Sequence, residues 1–200
     1  MDFFTTLQLR RAVKHYDNKA TMPAQDFEKL MDSVLLSPTS YNIQNWRFVR
    51  ISDKHKRLRL KQAAWGQQQV EDASEVLILC ADSQAWSDRP ERYWANTESS
   101  VQEMILPMIE SFYTGKKQTQ RDETMRSCGM AAQTLMLSAK ALGYDSCPMI
   151  EFDNEQVANI INLPEHHVIC MMIVIGKALK PANPRAGQLP VNEVLFENSF

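Results

Sequence analysis

Two spacings of hydrophobic residues run through the chain and predict helices interleaved with strands. Apolar residues three or four positions apart predict helices over residues 23–36, 91–115, 128–142 and 154–163. Alternating or continuous apolar runs predict strands over residues 48–51, 76–80, 144–150 and 167–175. The last of these runs is the most apolar, so we expect that strand at the centre of a sheet.

Capping and breaking residues sharpen several of these boundaries. Pro38 stops the helix that precedes it, because the residue before a proline avoids helical geometry. Asp53 is typical of the cap of a basic helix over residues 54–64, and Gly143 suits the C-terminus of the long helix. Pro107 predicts a kink inside the pattern of residues 91–115.

Length and composition indicate one folded domain over residues 1–200. The chain is 44% hydrophobic and 23% charged, which is globular composition. The segment from residue 177 to 200 is rich in proline but keeps apolar residues that nothing local would cover. Such a tail is more stable wrapped over another chain than exposed to water.

Charge and hydropathy exclude several classes of partner. The formal net charge of -2 provides no positive field for nucleic acid or anionic lipid. No stretch approaches the ~20 apolar residues of a membrane helix, and the first residues lack the order of a signal peptide. We therefore expect a cytoplasmic protein that binds neither nucleic acid nor membrane.

Cysteine and histidine patterns speak against a metal site. The four cysteines form no CxxC pair, and Cys80 and Cys170 lie in apolar runs, where buried reduced thiols are typical. His166 and His167 are adjacent on a predicted strand and would point to opposite faces. The sequence also lacks the GxGxxG, P-loop, GxSxG and HExxH motifs.

Four polar clusters could carry chemistry, and each has a structural alternative. Arg10, Arg11 and Lys14 form either a phosphate clamp or a cationic helix end. Residues 37–46 form either a ring of donors around a polar aromatic ligand or a simple helix stop. Residues 67–69 are three glutamines that could be solvated surface, and residues 147–151 could be an ordinary strand end.

Taken together, these clusters resemble the FMN-dependent nitroreductase family over nearly the whole chain. The matching motifs, in order, are Arg10-Arg11-Ala12-Val13-Lys14-His15-Tyr16, Ser37-Pro38-Thr39-Ser40-Tyr41-Asn42-Ile43-Gln44-Asn45-Trp46, Gln67-Gln68-Gln69-Val70-Glu71-Asp72-Ala73-Ser74, Ala141-Leu142-Gly143-Tyr144-Asp145 with Pro148-Met149-Ile150, and Arg185. The chain departs from the family pattern at Ala12, Asn45 and Asn183, where serine, proline and lysine are common.

The resemblance implies an α+β fold. It has a central mixed, mostly antiparallel sheet flanked by helices, and its C-terminal segment is exchanged in a homodimer. Each FMN site would then take residues from both chains. The implied cofactor-binding residues are Arg10, Arg11, Ala12, Lys14, Pro38, Thr39, Ser40, Asn42, Gln67, Gln69, Pro148, Met149, Ile150 and Arg185.

Within that set the resemblance implies different roles. Arg10 and Arg185 would hold the phosphate of FMN, and Lys14 and Gln69 would face the N1/O2 edge of its ring system. Residues 38–42 would come from the partner chain. The backbone N–H of Ile150 would lie near the flavin N5.

The implied activity is ping-pong hydride transfer from NADH or NADPH, through flavin N5, to a nitroaromatic or quinone acceptor. The variable helical segment 86–120 would border the acceptor, with Tyr93, Trp94, Phe112 and Tyr113 as stacking candidates, although aromatic residues at helical spacing are also typical of a core. Two alternatives stay open. The protein could bind flavin without turnover, as a store or sensor, or it could be a specialised flavin reductase such as a reductive dehalogenase.

Overall fold

The computed structural model describes residues 1–200 and is built around one four-stranded sheet. Its strands are β1 (Trp46–Arg50), β2 (Glu75–Asp82), β3 (Asp145–Met149) and β4 (His167–Gly176), in the order β1-β2-β4-β3. All three pairings are antiparallel. The one parallel contact is an isolated bridge between Ala12 and Ser146, beside β3.

The two central strands carry the core, as the hydropathy pattern predicts. Residues 76–81 of β2 and 172–175 of β4 are buried, because helices cover both faces of the sheet there. One face packs a cluster that includes Ile78, Met172 and Val174, and the other packs Leu79, Ile173 and Ile175. Strands β1 and β3 are left as the edges of the sheet.

Seven α-helices surround this sheet. They are α1 (Phe3–Leu9), α2 (Ala24–Leu35), α3 (Lys54–Ala63), α4 (Gln69–Asp72), α5 (Ser99–Tyr113), α6 (Lys117–Ala141) and α7 (Asn154–Ile161). Helix α6 is the longest and packs with α2 on one face of the sheet. Asp53 caps α3 by accepting a hydrogen bond from the backbone N–H of Lys56, and Gly143 after α6 has a φ of +81°.

The region predicted as one helix over residues 91–115 is in fact two elements. A short 3-10 turn covers Pro90–Trp94, and α5 begins only at Ser99. The Thr97 hydroxyl donates to the Trp94 carbonyl at 2.7 Å, and the Gln102 side chain donates to the carbonyls of Trp94 and Thr97. These local bonds satisfy the backbone outside a helix, which explains the break that hydropathy alone did not predict.

Two isolated bridges fix the chain between α1 and α2 alongside the sheet. Ala12 pairs with Ser146 of β3, and Tyr16 pairs with Ala178 beyond β4. The Val13 N–H donates to the Ser146 carbonyl at 3.1 Å, and Val13 is buried. The segment that carries Arg10 and Lys14 therefore lies along the outer edge of β3.

The C-terminal tail has little regular structure. Beyond a short 3-10 turn at Val191–Glu193 it is irregular, and its large apolar side chains are exposed. Among the helices, none combines the length and apolarity needed to cross a lipid bilayer.

Candidate functional site

A cationic pocket forms where the end of α1 meets the C-terminal tail. It has a volume of about 360 Å³ and is open to solvent. Its lining consists of Arg10, Arg11, Ala12, Lys14, Asn183, Arg185, Ala186, Gly187 and Gln188. The pocket therefore brings together five of the predicted cofactor residues, although Arg185 is more than 170 positions from the other four.

Arginine side chains hold the two ends of the chain together at this pocket. The Arg185 guanidinium donates to the backbone carbonyls of Gln8 and Arg10 at 3.2 and 3.3 Å, at the C-terminal end of α1. Carbonyls at that end of a helix have no partner within the helix, so a cation there is favourable. In the opposite direction, Arg11 donates to the Asn183 carbonyl.

The positive charge of the pocket is not neutralised within the chain. None of its four cations, Arg10, Arg11, Lys14 and Arg185, forms an ion pair with a carboxylate. Partial burial and the neighbouring charges of Arg185 and Arg11 lower the pKa of Arg10. Because like charges so close together repel, the arrangement favours an anion, and the guanidinium fork matches phosphate oxygens.

A second cluster of polar side chains, those of Gln67 and Gln69, lies beyond the C-terminal end of β3. Gln69 is 5% exposed, and its Nε2 donates to Gln67 Oε1 at 2.7 Å and lies 3.8 Å from Met149 Sδ. Gln67 in turn donates to the Glu151 carbonyl at 2.8 Å. Two of the three glutamines thus face the strand end, whereas Gln68 bonds Lys61 and Asp72.

The cationic pocket and the pair Gln67 and Gln69 lie along the same edge of the sheet, which is formed by β3. Burial raises the pKa of the Cys147 thiol, while the charges of Lys14 and Arg10 act in the opposite direction, so these cations face β3. Pro148 is half-buried in β3, and the Ile150 side chain just beyond the strand is 72% exposed. The predicted cofactor residues within 10–14, 67–69 and 148–150 therefore lie along the β3 edge of the sheet, together with Arg185.

The polar loop at residues 38–45 is elsewhere, next to the opposite edge strand β1. Its Thr39 hydroxyl accepts from the Gln44 N–H at 2.9 Å, and Ser40 N–H donates to Glu123 of α6 at 3.3 Å. The Asn42 side chain donates to the Tyr93 carbonyl at 2.7 Å, and Pro38 is exposed. Within one chain, this loop lies beside β1 and the cationic pocket lies beside β3, and these two strands form opposite edges of the sheet.

The four predicted acceptor residues gather near this loop. Tyr113 is 1% exposed, with its ring stacked on Trp86 at a centroid distance of 5.9 Å. Tyr93 and Trp94 are half-buried against the same cluster, whereas Phe112 is 41% exposed and lies 5.5 Å from the Tyr41 ring. Packing already occupies the Tyr113 ring, so of the four Phe112 is the one with a large accessible face.

Metal-ligating side chains do not cluster in this protein. No group of three or more histidine, cysteine, aspartate or glutamate side chains is arranged to hold a metal ion. All four cysteines are free, and three of them are buried.

Comparison with known proteins identifies the family. The model of the nitroreductase family matches residues 7–177. The chain belongs to the nitroreductase family. The family model covers the end of α1, Gln67 and Gln69, and the end of β3. The β3 edge described above therefore lies largely within the matched region.

Individual members of the nitroreductase family match along nearly their whole length. Protein DrgA of Synechocystis is 43% identical over 98% of this chain and 95% of its own. MhqN of Bacillus subtilis, named as a proposed NAD(P)H nitroreductase, is 31% identical over 96% of this chain and 97% of its own. A protein of Exiguobacterium sibiricum, crystallised in complex with FMN, superposes with a TM-score of 0.92 at 26% identity, covering 99% of this chain and 98% of its own.

Several contributors to the pocket and its surroundings were not among the predicted residues. Asn183, Ala186, Gly187 and Gln188 line the pocket beside Arg185. Their proximity to Arg185 in sequence was a signal for all four, and Asn183 also occupies a position where the family commonly has lysine. Glu151 contributes a backbone carbonyl and Glu123 holds the Ser40 loop, and neither contact has a sequence signature because each joins distant segments.

Proposed function

We propose that this protein is a homodimeric FMN-dependent oxidoreductase that uses NADH or NADPH to reduce nitroaromatic or quinone acceptors. The observation that carries the proposal is the cationic pocket, in which four cations converge without a carboxylate partner. The NAD(P)H nitroreductase name of MhqN and the FMN complex of the Exiguobacterium protein support the choice of cofactor and co-substrate. When bound, FMN would supply the hydride-accepting and hydride-donating centre at N5.

The donor set fits a flavin phosphate at one end and a flavin ring at the other. Arg10 and Arg185 would bind the phosphate through charge-assisted hydrogen bonds, with Arg11 and the backbone at Ala12 beside them. Lys14 would lie at the N1/O2 edge, where a cation favours the negative charge that reduction adds. Pro148, Met149 and Ile150 would lie against the ring, and Gln67 would hold their turn from behind. Gln69, predicted at the N1/O2 edge, is buried and donates to Gln67, so we assign it a supporting role instead.

The proposal requires a second copy of the chain. Pro38, Thr39, Ser40 and Asn42 lie next to β1, on the far side of the sheet order from the pocket. They would reach the flavin of the partner rather than that of their own chain. The loop of the partner subunit would cover part of the flavin ring system and exclude water from the site.

The acceptor would bind over the exposed flavin face, bordered by residues 86–120 of the partner subunit, because this segment lies beside the loop at residues 38–42 that the partner would supply. Phe112 offers an accessible ring for stacking on an aromatic acceptor, with Tyr93 and Trp94 bordering it. Tyr113, which is buried, would pack beneath this surface and would not contact the acceptor. No side chain is assigned as a general acid or base: hydride would pass between flavin N5 and the bound molecule, and the protons that complete the reduction of a quinone or nitro group would come from water.

The direct experiment follows colour and turnover. Purified protein loaded with FMN should be yellow, NADH or NADPH without oxygen should bleach it, and nitrofurazone or menadione should restore the colour. Protein that stays colourless with excess FMN would refute the proposal. Bleaching by neither nucleotide would favour a flavin store or sensor, and bleaching without recovery would favour a specialised reductase such as a dehalogenase.

A further inference from the structure

In the turn after β3, the backbone N–H groups of residues 152 and 153 form hydrogen bonds, whereas those of residues 150 and 151 do not. The Phe152 N–H donates to the Ile150 carbonyl at 3.1 Å, and the Asp153 N–H donates to the Ala63 carbonyl at 2.9 Å. Phe152 is 5% exposed, whereas Ile150 is 72% exposed. The backbone N–H groups of Ile150 and Glu151 donate no hydrogen bond within the chain, so this turn presents two free donors.

A single side chain ties the middle of this turn to the rest of the protein. The Glu151 carbonyl can only accept, so Gln67 must present its Nε2 to it, at 2.8 Å. That orientation leaves Gln67 Oε1 facing Gln69, whose Nε2 donates to it at 2.7 Å. The order of donors and acceptors from Gln69 to Gln67 to the Glu151 carbonyl is therefore forced by the chemistry of the last group.

Burial fixes the Gln69 end of this chain of hydrogen bonds. Gln69 is 5% exposed, sits in the short helix α4 and contacts Met149, the last residue of β3. A buried amide that lost its partner would be left unsatisfied, which disfavours any other position of Gln67. The orientation of the peptide at Glu151 is thus set from the helix side, independently of the β3–β4 pairing.

We propose that Gln67, oriented by Gln69, is a positioning residue that aims the free backbone donors of the Ile150–Glu151 turn at flavin N5 and so favours the oxidised flavin, which lowers its reduction potential. This inference rests on the proposed function, since it assumes that FMN binds along β3. Gln67 acts through the backbone: one N–H of its side-chain amide holds the Glu151 carbonyl, and its Oε1 accepts from Gln69. N5 accepts a hydrogen bond in oxidised flavin but carries a hydrogen in reduced flavin, so N–H donors aligned with N5 favour the oxidised form.

The test compares Gln67→Met, which keeps the length of the side chain but has no hydrogen-bonding group, with Gln68→Met as matched control. Gln68 is a neighbour in sequence whose bonds go to Lys61 and Asp72 instead. In full-length FMN-loaded protein, we expect Gln67→Met to increase the preference for reduced over oxidised FMN about tenfold, which raises the two-electron midpoint potential by about 30 mV. Gln68→Met should leave the potential unchanged.

Amide hydrogen exchange provides a readout that does not depend on flavin. In flavin-free protein, we expect exchange at Phe152 and Asp153 to quicken at least about tenfold in Gln67→Met, because these N–H groups close the turn. Gln67→Glu, which replaces the donor with a carboxylate facing a carbonyl, should have the same effect and serves if the methionine variant does not fold. Unchanged exchange in both Gln67 variants would overturn the proposal.

The possible outcomes separate this inference from the proposed function. If wild-type protein binds FMN but the potentials of wild type and Gln67→Met agree, the positioning role is wrong and the proposed function stands. An equal shift in Gln68→Met would also overturn it, because the effect would then be general to the glutamine cluster. If wild-type protein binds no FMN, the proposed function fails and the flavin part of this inference fails with it, whatever the exchange data show for the turn.

Discussion

At the scale of single residues, the two arginines at opposite ends of the chain dominate the cationic pocket. Arg10→Ala with Arg185→Ala removes two guanidinium groups that face the same space. A hydrogen bond to a charged group contributes about 1.5–3 kcal/mol, so each single variant should weaken FMN binding about tenfold or more. The double variant should purify colourless, with an FMN dissociation constant raised about a hundredfold or more by fluorescence titration.

A matched control is available on α3. Arg59 is exposed, forms no ion pair and lies away from the pocket, so Arg59→Ala should bind FMN as the wild type does. Because Arg185 also bonds the end of α1, circular dichroism must show that the double variant is folded. A folded double variant that still carries a full complement of flavin would rule out the phosphate assignment.

At this scale, sequence motifs predicted which side chains meet in the pocket, but they could not predict contacts made through backbone atoms. Arg10, Arg11, Ala12 and Lys14 form one short motif, and the structure brings them to one pocket with Arg185. The bond between Gln67 and the Glu151 carbonyl joins residues 84 positions apart and involves a backbone atom. Such a contact has no signature in residue type, so it could not be predicted.

At the scale of elements, the contact between α2 and the start of β3 depends on one hydroxyl group. Tyr144 donates to the Asp26 carboxylate at 2.6 Å, and Lys177 lies over its ring at 3.8 Å. Tyr144→Phe keeps the ring for Lys177 but removes the hydrogen bond. We expect urea unfolding at pH 8 to show a loss of about 1–3 kcal/mol.

The same hydroxyl predicts a dependence on pH. Burial, with the Asp26 carboxylate second, raises the pKa of Tyr144 from 10.0 to about 12. A raised folded pKa means that the stabilisation is complete below pH 10 and is lost as the pH rises towards 12, since the unfolded chain deprotonates first. The stability gap between wild type and Tyr144→Phe should therefore narrow above pH 10, and a constant gap from pH 8 to 11.5 would contradict it.

The end of β4 offers a test of close packing between elements. A Cβ at Gly176 would lie 2.9 Å from Tyr16 Cδ1 and 3.0 Å from the Ser74 backbone nitrogen. Tyr16 is buried and Ser74 belongs to the backbone that leads into β2, so neither can move easily. Gly176→Ala should lower stability by about 1–3 kcal/mol, measured as a lower urea midpoint.

Gly129 in α6 provides the control for that substitution. Nothing lies within 4 Å of a Cβ built there, and alanine is a better helix former than glycine. Gly129→Ala should therefore leave the midpoint unchanged or raise it. Equal midpoints for the two variants would mean that the strand end tolerates a methyl group.

Element prediction succeeded where the hydrophobic pattern was strong and failed where side chains capped the backbone locally. The central strands follow from their continuous apolar runs, and Asp53 and Gly143 mark true helix ends. Residues 91–115 have helical spacing throughout, yet the Thr97 and Gln102 side chains hold a break before α5. Periodicity reports which face is apolar, and it does not report which backbone groups are bonded elsewhere.

At the scale of the whole molecule, the exposed apolar surface agrees with assembly into a dimer. The tail exposes Leu189, Val191, Val194, Leu195 and Phe196, and α1 exposes Phe3 and Phe4. A single chain gains nothing from keeping so many large apolar side chains in water, and contiguous patches of this kind mark interfaces. The order β1-β2-β4-β3 leaves the outer edge of β1 without a strand partner, whereas residues 12–13 already lie along the outer edge of β3.

Two truncations separate the roles of the tail in assembly and in flavin binding. A chain ending at residue 188 keeps Arg185 and the pocket lining but loses the apolar residues beyond it, whereas a chain ending at residue 180 loses both. We expect the longer form to show a weakened dimer by analytical ultracentrifugation and to bind FMN more weakly, because residues 38–42 of the partner are then lost with it. The shorter form should be colourless at any concentration, since the Arg185 clamp is missing as well.

Protein concentration distinguishes the two effects. Flavin binding by the 1–188 form should recover as its concentration is raised and dimers return, because every residue of the pocket is present in each chain. The 1–180 form should not recover over the same range. A 1–180 form that remains dimeric and fully loaded with FMN would show that neither Arg185 nor the apolar tail is needed, and the proposed exchange between chains would have to be abandoned.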